Sequence, residues 1–592
     1  MSTDTSTPTN ISSTPPNEDR CIINELPPEI LSHIFLLGLE LEDSEDEADE
    51  KEEEMKVKKR LEAFEKAEAA QKETGVVIPK DDGDSEYEDV SSDEDSDSDS
   101  DSDWQLLVTQ VCRRWREVAL EIPQLWSSVE FTTESPLAKA NAYLERAKGA
   151  PLELSIDFTD DDNSKVWNSV GVLTPQIVEY MERFVKILQI VQPHLYHTRA
   201  LQVEVALWKY MGTTLMFLGQ ISAAPMLEVL QLYHYEDLEP DDEDFPTSHI
   251  PEEDRKQDFV LFHGNAPMLK EVALWGVHLD WDRSTFLEGL HDLELAFHDQ
   301  DLRPSFKTFA RILHSSPKLE VLTISQSGPK GDAVDWLRSM MNTAEGSTEV
   351  DSSVSTEIQL PSVKDFVLAH VECGYGMELV ERLAMPKLIS LTLDLEEDDH
   401  TVFVAALCRP HRITRQPVFA NITTLQLNGL GLCMKGTIEE AMAVLQKVTH
   451  LRVNFHHVSR DWYEVMFPSE PSSSSTHRIN LPRLETFHSI GLIGDELTKL
   501  VKARTAAGVP LLHLYVSDED DVTPEEEHWL EKESGLKTFK FFENSDDEDV
   551  EDGDLIEVDM EEEDFEDWYD DDEDLDDDDL EDYGSDTQDS VD

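Results

Sequence analysis

Pro317-Lys318-Leu319-Glu320-Val321-Leu322-Thr323-Ile324 is the stretch on which the fold turns. In Leu-x-x-Leu-x-Leu the last two apolar residues alternate with their neighbours, so both point to one face of a short strand. The first apolar residue tucks in from the preceding turn, and the proline two places before it keeps a helix from running into the strand. The same unit recurs as Pro225-Met226-Leu227-Glu228-Val229-Leu230-Gln231-Leu232 and as Pro386-Lys387-Leu388-Ile389-Ser390-Leu391-Thr392-Leu393. Looser copies begin at Pro267, Pro361 and Pro482, and copies without the proline begin at Leu290, Ile422 and Val448. The nine units start at residues 227, 269, 290, 319, 363, 388, 422, 448 and 484. Helical stretches precede several of them: Ser305–His314, Met377–Leu383, Ile438–Lys447 and Asp495–Arg504. In the first of these, Phe306, Phe309, Ile312 and Leu313 make one apolar stripe. Helix, turn and strand repeating in one direction predict an α/β fold over residues 136–542. Its parallel strands stack into a curved solenoid with helices outside.

Upstream of that region lie two apolar helical stretches, separated by charge. The first is Leu26-Pro27-Pro28-Glu29-Ile30-Leu31-Ser32-His33-Ile34-Phe35. Proline has the fixed φ that suits a first helical turn, and Ile30, Leu31, Ile34 and Phe35 follow at helical spacing. The second stretch runs Val108-Thr109-Gln110-Val111-Cys112-Arg113-Arg114-Trp115-Arg116-Glu117-Val118-Ala119. There Val108, Val111, Cys112, Trp115 and Val118 form the stripe, and Arg113, Arg114 and Arg116 face away. Helices this short cannot bury both stripes within themselves. One stripe must be finished by the rest of the chain or by a partner.

The pattern L-P-x-E-I-L-x-x-I-F followed by V-C-R-x-W-R resembles an F-box, and Ile122-Pro123-Gln124-Leu125-Trp126 resembles what commonly follows that motif in fungal F-box proteins. The resemblance implies a helical module, in two halves at 21–39 and 104–126, that docks on the Skp adaptor of a cullin–RING ubiquitin ligase. It implies a docking set of Leu26, Pro27, Ile30, Leu31, Ile34, Val108, Val111 and Trp115. The chain departs from the family in the long charged insertion, 40–103, between the halves. The downstream region resembles the irregular leucine-rich-repeat domains that follow many F-boxes, although its units lie about 20–45 residues apart against the usual 20–29. Together these resemblances imply a non-catalytic substrate receptor, with the substrate protein unspecified.

The chain has 592 residues and a formal net charge of −81, which argues against nucleic-acid or anionic-membrane binding. Residues 543–592 hold thirty Asp or Glu and no Lys or Arg, and with the insertion they account for most of that charge. Like-charge blocks of this kind repel themselves, so the insertion, the tail and the polar residues 1–20 are expected to be disordered. Between the acidic flanks of the insertion, Lys51–Lys72 alternates in sign and reads as a solvated helix. A leucine-rich domain with a long acidic tail also resembles the acidic leucine-rich nuclear phosphoproteins, which implies a chaperone that binds histones or other basic proteins.

Five scattered cysteines without a C-x-x-C pair suit a reducing compartment and give no zinc framework. No P-loop, dinucleotide loop or H-E-x-x-H is present, so no metal, cofactor or catalytic residue is expected. The first residues lack the apolar core of a secretory signal, and no run of about eighteen apolar residues offers a membrane span. The expected location is cytoplasmic, nuclear or both.

Overall fold

A computed structural model of the chain describes residues 26–39, 104–159, 175–235, 250–341, 357–395, 398–467 and 479–542. The expectations for residues 1–20, for the insertion 40–103 and for the tail 543–592 lie outside the described residues.

Five of the six prolyl units begin with a hydrogen-bonded turn. The amide of Leu227 donates to the Ala224 carbonyl (3.4 Å), that of Leu269 to Ala266 (3.2 Å), and that of Leu319 to Ser316 (3.0 Å). Leu388 donates to Met385 (3.3 Å) and Leu484 to Leu481 (3.2 Å) in the same way. Pro225, Pro267, Pro317, Pro386 and Pro482 therefore occupy the second position of a four-residue turn, where a fixed φ near −65° is favourable. The proline does more than stop a helix. It sets the corner from which the strand leaves.

The strands follow directly. Those beginning at Val229, Glu271, Asp292, Val321, Asp365, Ser390, Thr424, His450 and Thr486 each start two residues after one of the nine unit starts. Among the described residues, fourteen strands from Ser128–Phe131 to Thr538–Phe542 form one open sheet in strict chain order, and every pairing is parallel. Two short strands, Ile358–Gln359 and Leu383–Ala384, pair separately. The register sets Leu230, Val272, Leu293, Leu322, Phe366, Leu391, Leu425, Leu451 and Phe487 side by side. All nine are buried. Each such side chain contributes about 1.5–3 kcal/mol on leaving water. The apolar core they belong to runs from Leu31 to Leu530.

Among the described residues, helices fill most of the connections, though the one from Glu271–Trp275 to Asp292–Ala296 holds none. Phe306–His314 starts where Ser305 Oγ accepts the Thr308 amide (3.2 Å), and Phe306, Phe309, Ile312 and Leu313 are all buried. Cys373–Val380, Lys435–Val444 and Gly494–Ala506 each begin one to four residues before the stretch read from the sequence. The sheet itself starts at Ser128, upstream of the expected boundary at 136.

Polar groups line the exit ends of some strands. His298 is buried with Nε2 donating to the Val277 carbonyl (2.7 Å) and Nδ1 at 2.9 Å from Ser327 Oγ. Those partners suit the neutral ring, and burial pushes its pKa down to about 4. An unfolded histidine titrates near 6.5, so the unfolded chain takes up this proton first as the pH falls. The contribution of His298 is complete above about pH 6.5 and is lost progressively down to about pH 4. Between pH 6.5 and 5 that loss is roughly 2 kcal/mol. Chemical denaturation of wild type and His298→Gln across this window should show a shallower acid slope in the variant. Parallel slopes would contradict the assignment.

Candidate partner-docking site

The helix 28–39 begins at Pro28, and the Pro27 carbonyl accepts from the amides of Ile30 (3.0 Å) and Leu31 (3.1 Å). Leu31 and Phe35, four residues apart, are fully buried. The second half of the split sequence is not one helix. Trp104–Val111 ends before Cys112, whose backbone is extended (φ −159°, ψ 167°) and whose Sγ accepts the Trp115 amide at 3.4 Å. Arg113–Ala119 then starts afresh with Trp115 and Ala119 buried.

Specific contacts join the two halves, although they are far apart in the chain. Trp104 Nε1 donates to the Phe35 carbonyl at 2.7 Å. The Phe35 and Trp115 rings meet with centroids 5.0 Å apart at 53°. The Arg114 guanidinium donates to the Leu26 carbonyl. Gly38 lies flush against Trp104, where an added Cβ would come within 2.2 Å of the indole. Gly38→Ala should therefore cost about 1–3 kcal/mol by overpacking this junction. A lowered denaturation midpoint checks this, and an unchanged one would show that the helices are not held this closely.

Trp126 ties the helices to the sheet. It is fully buried, its Nε1 donates to the Ala119 carbonyl (2.9 Å), its ring meets Tyr143 edge-on (5.0 Å), and Arg146 lies 4.4 Å over its face.

The structure sorts the expected docking residues into two groups. Leu31, Val108 and Trp115 are buried inside the helical unit and help to build it. Pro27, Ile30 (47% exposed) and Val111 (61% exposed) face outward, with Leu26 and Ile34 half-buried at the margin. Sequence reasoning missed three more outward apolar residues, Leu37, Leu107 and Leu120. Spacing offers a signal for two of them. Leu37 is seven residues after Ile30 and Leu107 four before Val111, so each lies on a second stripe of its own helix. The first stripe is finished by the chain itself, and the second is left open.

The chemistry of this surface is apolar contact. Elsewhere, burial pushes the thiols of Cys408 and Cys433 up to about 12 and about 11, and that of Cys373 up as well. All three are protonated and weakly nucleophilic at neutral pH. Among the described residues no group of three or more His, Cys, Asp or Glu is arranged to hold a metal ion. No described helix is long and apolar enough to cross a membrane. No protein-family model matches this chain, and no curated protein matches it.

Proposed function

We propose that the chain is a substrate-receptor subunit of a Skp–cullin–F-box ubiquitin ligase. In this reading 26–39 and 104–126 together form the F-box, which docks on the Skp adaptor and through it on the cullin. The parallel sheet and its helices are the irregular leucine-rich solenoid that presents a substrate protein. The receptor adds no reacting group of its own. It acts by proximity, holding a substrate lysine near a ubiquitin-loaded enzyme carried by another subunit.

The observation that carries the proposal is the open apolar stripe on each half, Ile30 with Leu37 and Leu107 with Val111, left on helices whose other stripe is already buried. Surfaces of this kind mark protein interaction sites. The test is a titration of purified Skp adaptor against the full chain at low and moderate salt. Binding through apolar burial should change little with salt, and absence of a complex would overturn the reading.

A second reading is an acidic chaperone of histones or other basic proteins. The thirty carboxylates of residues 543–592 favour it, because their field attracts cations without shape recognition. Deleting those residues should abolish a steeply salt-dependent histone affinity and leave adaptor binding unchanged. Histone affinity that survives both the deletion and added salt would instead place recognition on the sheet domain.

A further inference from the structure

The face of the sheet opposite the core carries an aromatic group on neighbouring strands. Tyr233 and Trp275 are register partners. Tyr235 stacks on Tyr233 (5.8 Å, 7°), and Trp275 meets both edge-on, at 5.2 and 5.7 Å. Phe297 continues the cluster against Trp275 (5.3 Å), and His370 stacks on Phe297 (6.1 Å, 30°).

Phe297 reaches this face by an unusual route. Strand alternation from Leu293 and Leu295 would send its ring into the core. Its backbone is instead left-handed (φ 52°), held by its amide on the Ser325 carbonyl (3.0 Å), and the ring stands 41% exposed. A bulky residue at positive φ is strained. Here the strain turns an aromatic ring partly into water beside Trp275 and His370.

Carboxylates surround the rings. Glu204 is the register partner of Tyr233, Glu294 stands one same-face row from Trp275, and the Glu271–Asp292 pair stands two rows away. Burial raises the Tyr233 hydroxyl pKa, and Glu294, Glu204 and Asp292 raise it further. Asp292 is pushed up to about 6, by burial first and then by Glu271 and Asp365. The basic side chains at the entry ends of these strands are paired with other acids: Arg199 with Glu153, Lys270 with Glu228 at 2.9 Å, and Lys364 with Glu320 at 2.6 Å. The patch thus combines the exposed rings of Tyr235 and Phe297, and the half-buried Trp275, with crowded negative charge.

We propose that this face binds a basic polypeptide segment, whose arginine or lysine side chains lie on Tyr235, Trp275 and Phe297 and pair with Glu204, Glu294 and Asp292. Cations bind aromatic faces by electrostatic attraction to the ring quadrupole, and a rim of carboxylates adds charge complementarity. The surface stands apart from the helical site and does not depend on adaptor docking. In a ligase it would define the class of substrate.

The test is a titration of the full chain with a short fluorescent peptide of alternating arginine and glycine, with a glutamine-for-arginine peptide as control. Phe297→Gly suits the left-handed backbone and removes only the ring, while Glu294→Gln removes one charge. Each should weaken arginine-peptide binding by about tenfold, and adaptor binding should stay at the wild-type level. The control peptide should not bind. Arginine-peptide affinity unchanged in both variants would overturn the proposal and locate binding elsewhere, for instance on the acidic tail, which neither variant alters. Failure of the wild-type chain to bind the peptide would overturn it as well.

Discussion

Ile30→Asp combined with Val111→Asp is expected to abolish binding of the Skp adaptor and to leave the fold intact. Both side chains face water already, at 47% and 61% exposure, so the folded chain loses little. In a complex each would be buried, and an aspartate there brings an uncompensated charge into an apolar interface. The pair should weaken adaptor affinity by about a hundredfold or more, roughly 3 kcal/mol. Calorimetric titration gives the affinity and chemical denaturation the stability. An unchanged affinity would mean that the open stripes are not the docking surface. A large drop in stability would mean that they are part of the core.

Trp126→Ala should have the larger effect on stability, about 3–5 kcal/mol, because it empties a large buried site. The indole also holds the Ala119 carbonyl and lies under Arg146, so its loss loosens the helices from the first strand, Ser128–Phe131. Adaptor affinity should fall in this variant too, by an indirect route, through helices that no longer hold one arrangement. Denaturation monitored by circular dichroism checks the first effect. A loss below about 1 kcal/mol would show that the site collapses around the alanine.

The strand units are legible because they rest on local rules: a prolyl turn, then alternation on a half-buried strand. Leu511-Leu512-His513-Leu514-Tyr515-Val516 carries the same alternation and gives the strand His513–Ser517, but its proline, Pro510, stands one place before the first leucine instead of two, and the nine-unit reading stops short of it. Leu152–Phe158 has its proline, Pro151, directly at the strand start instead of in a preceding turn, Thr198–Val205 has none in the unit's place, and Thr538–Phe542 lies at the sheet edge with Lys540 between two phenylalanines. The unit pattern alone does not reach these.

The candidate site is legible in outline and less so in detail. Helical spacing marks Leu31 and Trp115 as apolar face residues but does not say whether the chain or a partner covers them. That depends on Phe35 and Trp104, contacts made across residues 40–103. The break at Cys112 depends on a thiol accepting a backbone amide, so the run from Val108 to Val118 reads as one helix. The outward turn of Phe297 depends on one left-handed residue that a reading by alternation sends inward.

The central claim is that two stretches separated by the insertion form one docking surface. Amide hydrogen exchange of the full chain, with and without saturating Skp adaptor, tests it most directly. The account predicts added protection in both 26–39 and 104–120, with no change across the strands from Val229–His234 to Asp365–Ala369. Protection confined to one half, or confined to the sheet, would contradict it.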